Sequence, residues 1–104
     1  MRIYISGKIS GLDIKVAEGL FEQMENLLQQ KGFIPVNPMK LVPYDPALTW
    51  EDYMVEDIRA IFACQAIVML DNWHLSRGAK IEHAIAQQIG LEIYYPSMHR
   101  HLLD

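Results

Sequence analysis

The sequence predicts an α/β protein with an open, mainly parallel β-sheet of about four to five strands and helices on both faces of the sheet. Short β-rich runs alternate with stretches of helical periodicity along the chain, which is the pattern of a parallel sheet with crossover helices. The third β-rich run, residues 66–70, is apolar throughout, as a strand covered on both faces requires. Together these observations favour a three-layer, Rossmann-like or flavodoxin-like architecture.

Each strand is predicted from a short β-rich run that ends at a turn residue. Gly7 ends the first run, Asn37 and Pro38 end the second, and Pro96 closes the last. The predicted strands are residues 2–6, 33–36, 66–70 and 91–95.

The helices are predicted from apolar spacing and from the residues that begin or end them. Apolar residues recur every three or four positions over residues 14–31, and Gly32 ends this first helix. Thr49 is predicted to cap the second helix, and Ser76 begins the third, which Gly90 ends. The apolar face of the second helix is expected to comprise Trp50, Tyr53, Met54, Ile58, Ile61 and Phe62.

Two segments lie outside these elements. Residues 39–49 contain Pro43 and Pro46 and are predicted to be a loop long enough to form a lid or a wall of a site. Residues 97–104 are polar and carry two histidines, and we expect a tail or a short helix there.

Length and composition limit the class of protein. A chain of 104 residues with 51% apolar and 21% charged residues predicts one globular domain, residues 1–104. The net charge of −4 disfavours binding to a nucleic-acid polymer, which requires a basic surface. The single cysteine, Cys64, cannot form an internal disulfide; it indicates a cytoplasmic location and is expected to be a buried thiol. The apolar runs are too short for a membrane helix or a signal peptide, so neither a membrane protein nor a secreted one is expected.

Two acidic residues occupy helix positions where the pattern calls for apolar ones. Glu82 lies in the apolar stripe of the third helix, and Asp57 lies in that of the second. A carboxylate that faces a core is costly unless it is paired with a base or faces a cavity. One interpretation is two ordinary salt bridges. The other is a two-carboxylate site, in which one group attacks a sugar anomeric carbon and the other protonates the leaving group.

A ligand site is expected where the strands end, because ligands of open parallel sheets bind at the carboxyl ends of the strands. At the start of the third helix, Gly78 leaves room for a ligand to approach the backbone. Ser76 is there either as a plain helix cap or as a hydroxyl donor to a phosphate. The segments that meet at this edge are residues 7–11, Asn37, residues 71–74 and the start of the third helix.

Three pieces of the chain, in this order, resemble one family. They are residues 4–11 (Tyr-Ile-Ser-Gly-Lys-Ile-Ser-Gly), Asp57, and residues 76–82 (Ser-Arg-Gly-Ala-Lys-Ile-Glu). Together they resemble the nucleoside 2-deoxyribosyltransferase superfamily, and most of all its small bacterial and phage branch of unassigned activity. The 2′-deoxynucleoside 5′-phosphate N-hydrolases are a characterised relative.

The resemblance implies a role for each of the catalytic positions. Glu82 would be the nucleophile that forms a glycosyl-enzyme intermediate at C1′, and Asp57 would protonate the departing base. Tyr4 would orient the nucleophile or line the sugar site. The implied substrate-binding positions are Ser6, Gly7, Lys8, Ile9, Ser10, Gly11, Asn37, Asp71, Trp73, Ser76, Gly78 and Ser97.

The resemblance also bears on the substrate and on assembly. Ser76 stands where the nucleoside transferases carry an acid that would repel a 5′-phosphate, which favours a nucleotide. Lys8 stands where relatives often have Pro or Ser, and it either adds a phosphate contact or fills the pocket. Trp73 either stacks on a base or packs. A neighbouring subunit completes each site in the family, so a homodimer or larger homo-oligomer is implied, with Ser97 as the candidate completing residue.

Neither a cofactor nor a metal ion is expected. The loop of residues 7–11 is not a Gly-x-Gly-x-x-Gly fingerprint, and the chain has no Walker motif. His99 and His101 are more typical of solvated side chains than of metal ligands, and His83 is expected to pack or to lie at the surface. The predicted function is cleavage or transfer of an N-glycosidic bond on a small nucleotide or nucleoside. The alternative is a non-catalytic nucleotide-binding or regulatory module on the same fold.

Overall fold

The computed structural model describes residues 1–96, and this part of the chain alternates strands with helices. A 3₁₀ turn at Trp73–Leu75 follows the third strand. The strands are β1 (Arg2–Ser6), β2 (Ile34–Val36), β3 (Ala66–Met69) and β4 (Glu92–Tyr94). The helices are α1 (Ile14–Gln30), α2 (Pro38–Leu41), α3 (Trp50–Phe62) and α4 (Arg77–Gln88).

Within residues 1–96 the sheet has four strands, all parallel, in the order β2-β1-β3-β4. β1 lies centrally, with Tyr4 opposite Val36 on one side and opposite Ile67 on the other. The chain moves outward from β1 to β2 and then returns to the far side of β1 as β3. The fold class predicted from the sequence is therefore confirmed, with the strand order of a flavodoxin-like sheet.

Helices cover both faces of the sheet, and each face has its own apolar core. On one face, Phe21 and Leu28 of α1 pack with Ile3 and Ile5 of β1. On the other face, the core is formed by residues of α3, α4, the sheet and the turn after α3, namely Tyr4, Val36, Ile61, Cys64, Ile67, Met69, Ala79 and Ala86. Side chains alternate along a strand, so Ile3 and Ile5 face α1 whereas Tyr4 faces the α3–α4 layer. This alternation decides which β1 side chains can reach α4.

The helix predicted to start after Thr49, which is α3 in the structure, begins as the sequence predicts. The Thr49 hydroxyl accepts a hydrogen bond from the Asp52 backbone N–H at 3.1 Å, and the Asp52 carboxylate accepts one from the Thr49 N–H at 2.9 Å. This reciprocal capping box fixes the start of α3.

The prediction of one continuous loop over residues 39–49 is wrong at its start, where α2 forms. The Asn37 side chain caps this short helix by accepting from the Met39 N–H at 3.0 Å, and Pro38 occupies the first helical position. Both features favour a helix start. Only the remainder of the segment is irregular.

The prediction that Phe62 belongs to the apolar face of α3 is also wrong. Phe62 is 64% exposed, whereas its neighbour Ile61 is fully buried. Successive residues of a helix are rotated by about 100°, so Phe62 projects from a different side of α3 than Ile61 does. Cys64 is buried and carries a free thiol, as expected.

The helices in residues 1–96 lack the combination of length and apolar character that crossing a bilayer requires.

Candidate active site

Glu82 is a buried carboxylate whose two oxygens are each held by a hydroxyl group. The Tyr4 hydroxyl donates to Oε2 at 2.9 Å, and the Ser6 hydroxyl donates to Oε1 at 2.7 Å. The Glu82 residue is only 5% exposed, and both donors are fully buried. Each carboxylate oxygen can accept more than one hydrogen bond, so an oxygen of Glu82 keeps a lone pair for another partner.

The local fold explains why these three side chains meet. Tyr4 and Ser6 are two residues apart on β1, so both project onto the face that α4 covers. Glu82 lies in α4 on the side that packs against the sheet, one turn beyond buried Ala79. Two hydroxyl groups from one strand thus orient one carboxylate from one helix.

Asp57 is the second acid of the site. It lies on α3 and is half-buried. Burial raises the pKa of its carboxyl to about 7, repulsion from Glu56 adds to this, and the Tyr4 hydroxyl partly offsets it. Asp57 is therefore protonated in an appreciable fraction of molecules near neutral pH.

Burial likewise raises the pKa of Glu82 to about 7, with a further contribution from the Asp57 charge. The hydrogen bonds from Ser6 and Tyr4 favour the ionised form and lower the pKa. Glu82 has two direct hydroxyl donors and Asp57 does not, so the geometry favours the anion on Glu82 when the two acids share one proton. Such a pair titrates as a unit. Tyr4 itself stays protonated, because burial beside these acids raises its pKa well above the usual value.

The salt-bridge interpretation of the two acids does not hold for residues 1–96. The ion pairs formed there join Lys40 to Glu25 and Arg59 to Glu56. Neither Glu82 nor Asp57 has a basic partner in this part of the chain. Both instead line one cleft, the other condition under which a carboxylate is tolerated on an apolar helix face.

The cleft has a volume of about 730 Å³ and lies at the carboxyl ends of the strands. The loop after β1 forms one side of it, and helices α2, α3 and α4 form the other. Its walls are mostly apolar, and its acidic residues are Glu18, Asp57 and Glu82. Of the residues predicted from the sequence, it is lined by Tyr4, Gly7, Ile9, Ser10, Gly11, Asp57, Ser76, Gly78 and Glu82.

Two of these lining residues, Gly7 and Gly78, also allow neighbouring segments to pack closely. A Cβ on Gly7 would lie 2.7 Å from Leu70 Cδ1, so Gly7 permits the loops after β1 and β3 to touch. A Cβ on Gly78 would lie 3.1 Å from Met54 Sδ, so Gly78 permits α4 to approach α3 closely. Ser76 caps α4 by accepting from the Ala79 N–H at 3.1 Å.

Other predicted substrate-binding residues lie away from the cleft surface. Ser6 is fully buried and bonded to Glu82. Asn37 is buried and caps α2. Asp71 lines a separate groove of about 320 Å³ beside α1. Ser97 lies outside the described residues.

Lys8 lies at the rim of the cleft. Its Nζ donates to the Leu75 carbonyl at 3.2 Å, and a Cβ on Gly11 would meet the same Nζ at 3.6 Å. The ammonium group is therefore next to Gly11, which lines the cleft, and one residue from the cap of α4. Its backbone N–H donates to Asn72 Oδ1 at 3.0 Å, which ties the loop after β1 to the loop after β3.

Trp73 packs against protein rather than against the cleft. Its ring stacks on His83 with centroids 4.2 Å apart, and the His83 Nε2 forms a hydrogen bond with the Tyr95 hydroxyl at 2.5 Å. Of the two expectations for His83, packing or a surface position, the structure shows packing.

The aromatic wall of the cleft was not predicted from the sequence. Tyr44, Trp50 and Tyr53 line it from the loop after α2 and from the first turns of α3. The spacing places Trp50 and Tyr53 in a core stripe, because an apolar helix face looks the same whether it meets the core or a cleft. The predicted role of residues 39–49 as a site wall was the available signal for Tyr44.

Residues 1–96 contain no group of three or more His, Cys, Asp or Glu side chains placed to hold a metal ion. His99 and His101 lie beyond these residues.

The chain is similar in structure to two solved transferases. One is the 2-desoxiribosyltransferase from Leishmania mexicana, 21% identical with a TM-score of 0.65 over 90% of this chain and 62% of that chain. The other is the 2-deoxyribosyltransferase from the psychrotolerant bacterium Bacillus psychrosaccharolyticus, 15% identical with a TM-score of 0.68 over 92% of this chain and 73% of that chain. The chain thus spans less than two thirds of the Leishmania protein. The superfamily resemblance drawn from the sequence is confirmed at the level of the fold.

No curated protein matches the chain. A family model described as "Domain of unknown function (DUF4406)" matches residues 1–95. The chain therefore has the fold of the 2-deoxyribosyltransferases and belongs to the DUF4406 family.

Proposed function

We propose that the protein cleaves or transfers the N-glycosidic bond of a small nucleoside or nucleotide through a covalent glycosyl intermediate on Glu82. The observation that carries this proposal is a buried carboxylate, held at both oxygens by hydroxyl donors, that faces a cleft shared with a second acid. The similar fold of two deoxyribosyltransferases supports it, and the Bacillus protein is described as a biocatalyst for the synthesis of nucleosides.

The first step is displacement of the base. An oxygen of ionised Glu82 attacks C1′ and forms a C–O ester bond while the C1′–N bond breaks. The bonding electron pair leaves with the base, and protonated Asp57 donates its proton to a base nitrogen. Hydrogen bonds from Tyr4 and Ser6 keep the attacking carboxylate in a fixed orientation, which lowers the entropic part of the barrier.

The second step returns Glu82 to its carboxylate form. Water attacks C1′ on the face opposite the ester, Asp57 accepts the water proton, and the C–O bond to Glu82 breaks. If a second base attacks instead, the product is a new nucleoside. Two displacements give net retention at C1′. Hydrolysis and transfer share the first step, so access of water to the intermediate decides between them.

A 5′-phosphate fits the rim of the cleft near Ser76. The Lys8 ammonium lies beside this rim, and the first backbone N–H groups of α4 favour an anion. Glu82 is buried and Asp57 is half-buried, and the glycosidic bond must lie beside these two acids. This arrangement supports a nucleotide substrate with its phosphate toward Lys8 and its base toward α3.

The test is release or exchange of base from a panel of ribo- and 2′-deoxyribonucleosides and their 5′-monophosphates, with and without a second free base. We expect base release by the wild type and loss of nearly all of it in Glu82→Gln, because an amide cannot act as the nucleophile. Glu22→Gln, an exposed acid on α1, is the matched control and should retain activity. Equal turnover by wild type and Glu82→Gln contradicts the proposal. No turnover together with nucleotide-dependent thermal stabilisation indicates the non-catalytic binding module.

A further inference from the structure

The side chain of Tyr44 is placed in an unusual way for an aromatic residue. It lines the cleft, yet it is 85% exposed, more than any other large apolar or aromatic side chain in residues 1–96. An aromatic side chain buries roughly 150–250 Å² when it is covered, so leaving it in water forgoes a sizeable stabilisation. Covering this ring would be favourable, and the cleft is the space next to it.

The backbone beside Tyr44 is held in place although its ring is not. The Asp45 N–H donates to the Tyr53 hydroxyl at 2.9 Å, and that hydroxyl donates to the Asp45 carbonyl at 3.1 Å. The Asp45 side chain accepts from the Ala47 N–H at 2.9 Å. Pro43 and Pro46 restrict the chain on either side. These contacts fix the backbone next to Tyr44, and its side chain can still rotate.

The Tyr44 side of the cleft is also where a departing base must lie. Tyr53, which anchors the loop, is one helical turn before Asp57 on α3. Asp57 must reach a base nitrogen to donate its proton. Trp50, on the same helix, adds a second aromatic ring to this wall. The α3 side is thus aromatic, and the cation next to it is Arg77, whose guanidinium carbon lies 3.9 Å from the centroid of the Trp50 ring.

We propose that Tyr44 stacks on the nucleobase and covers it against the α3 wall, which makes Tyr44 a specificity-determining residue for a planar aromatic leaving group. The inference rests on the proposed function for the orientation of the substrate. It does not require turnover, because a free base offers the same flat face. Stacking needs the ring of Tyr44 and not its hydroxyl.

The experiment measures the dissociation constants of adenine and thymine by calorimetry for four proteins. Tyr44→Ala should weaken base binding about tenfold, because loss of one base–aromatic stacking contact weakens binding by about this factor. Tyr44→Phe keeps the ring and should stay within about twofold of the wild type. Phe62→Ala removes an exposed aromatic residue outside the cleft and should change nothing. Binding of 2-deoxyribose 5-phosphate, which has no aromatic ring, should be the same in all four. The melting temperature of Tyr44→Ala should match that of the wild type, because the side chain makes little contact with protein.

Either of two results overturns the inference: the wild type binds neither base at millimolar concentration, or Tyr44→Ala binds both as tightly as the wild type. The second result leaves the proposed function intact if base release from nucleosides is observed. Conversely, a tenfold loss of base affinity in Tyr44→Ala without any base release supports the stacking role and removes the proposed function.

Discussion

Glu82 belongs to the small set of polar side chains that the fold buries, and its partners are hydroxyl groups rather than basic side chains. Its position in an apolar helical stripe was visible in the sequence, because the spacing of apolar residues identifies the face that packs on the sheet. Its hydroxyl partners lie more than 75 positions earlier in the chain, and the family resemblance places Ser6 among the substrate-binding residues instead. The spacing of apolar residues within α4 cannot show which strand side chains Glu82 contacts.

The burial of Glu82 predicts how stability depends on pH. Its pKa is raised to about 7 in the fold, so between the unfolded pKa and about 7 the folded state binds more protons than the unfolded state. The free energy of unfolding should therefore fall as pH rises through this window, by up to about 3 kcal/mol for each extra proton that the Asp57–Glu82 pair binds in the fold. Glu82→Gln removes one of the two coupled acids, so its unfolding free energy should fall less between pH 5 and about 8. Urea unfolding at several pH values checks this; parallel curves for the two proteins would contradict it.

Lys8 predicts a preference for the phosphorylated substrate. Removing its charge in Lys8→Met should raise KM for a 5′-monophosphate about tenfold, because a charge-assisted contact is lost. The KM for the parent nucleoside should change less than twofold. Lys15→Met, an exposed lysine in the first turn of α1, is the matched control. Steady-state kinetics on both substrates check this, and equal changes in the two KM values would show that Lys8 does not bind the phosphate.

At the scale of elements, helix and strand positions followed from periodicity and capping, whereas short and irregular pieces did not. α1, α3 and α4 carry clear apolar spacing and recognisable first residues. α2 is a single turn that depends on the Asn37 cap and on Pro38, and one turn is too short to show periodicity. The aromatic wall was hidden for a related reason, since Trp50 and Tyr53 fit a core stripe equally well.

The capping box of α3 predicts a stability effect. Thr49→Ala removes the hydroxyl that accepts from the Asp52 N–H, and we expect a loss of about 1 kcal/mol in the free energy of unfolding. Thr49→Ser keeps an acceptor in the same place and should lose less than half of that. Chemical denaturation of the three proteins is the measurement. If the Ala variant were as stable as the wild type, the cap would contribute nothing to the fold.

The contact between the loops after β1 and β3 predicts a second effect. A Cβ on Gly7 would lie 2.9 Å from Leu70 Cβ, which a side-chain rotation of Leu70 cannot relieve. Gly7→Ala should therefore push these loops apart and cost about 1–3 kcal/mol. Gly19→Ala is the matched control, because a Cβ there meets nothing within 4 Å and an exposed helical position gains about 0.5–1 kcal/mol from Ala. Thermal unfolding should thus shift in opposite directions, and a stable Gly7→Ala variant would contradict the close approach.

At the scale of the whole molecule, the strand order places the cleft. The chain leaves β1 toward β2 in one direction and reaches β3 in the other, so α1 and α3 lie on opposite faces and a crevice opens between them at the carboxyl ends of the strands. The sequence predicted the edge of the sheet where the cleft lies, because that rule depends only on parallel strands. The wall that α2 and α3 build depends on how the helices pack, which no local pattern encodes.

The proposed reaction requires a covalent bond between C1′ of the substrate and Glu82. The most direct measurement is the intact mass of the protein after rapid acid quenching of a reaction with the nucleotide or nucleoside that releases base fastest. We expect a species heavier by one glycosyl group in the wild type, with the added mass on the peptide that contains Glu82, and no such species in Glu82→Gln. Base release without any adduct, or an adduct that persists in Glu82→Gln, would contradict it.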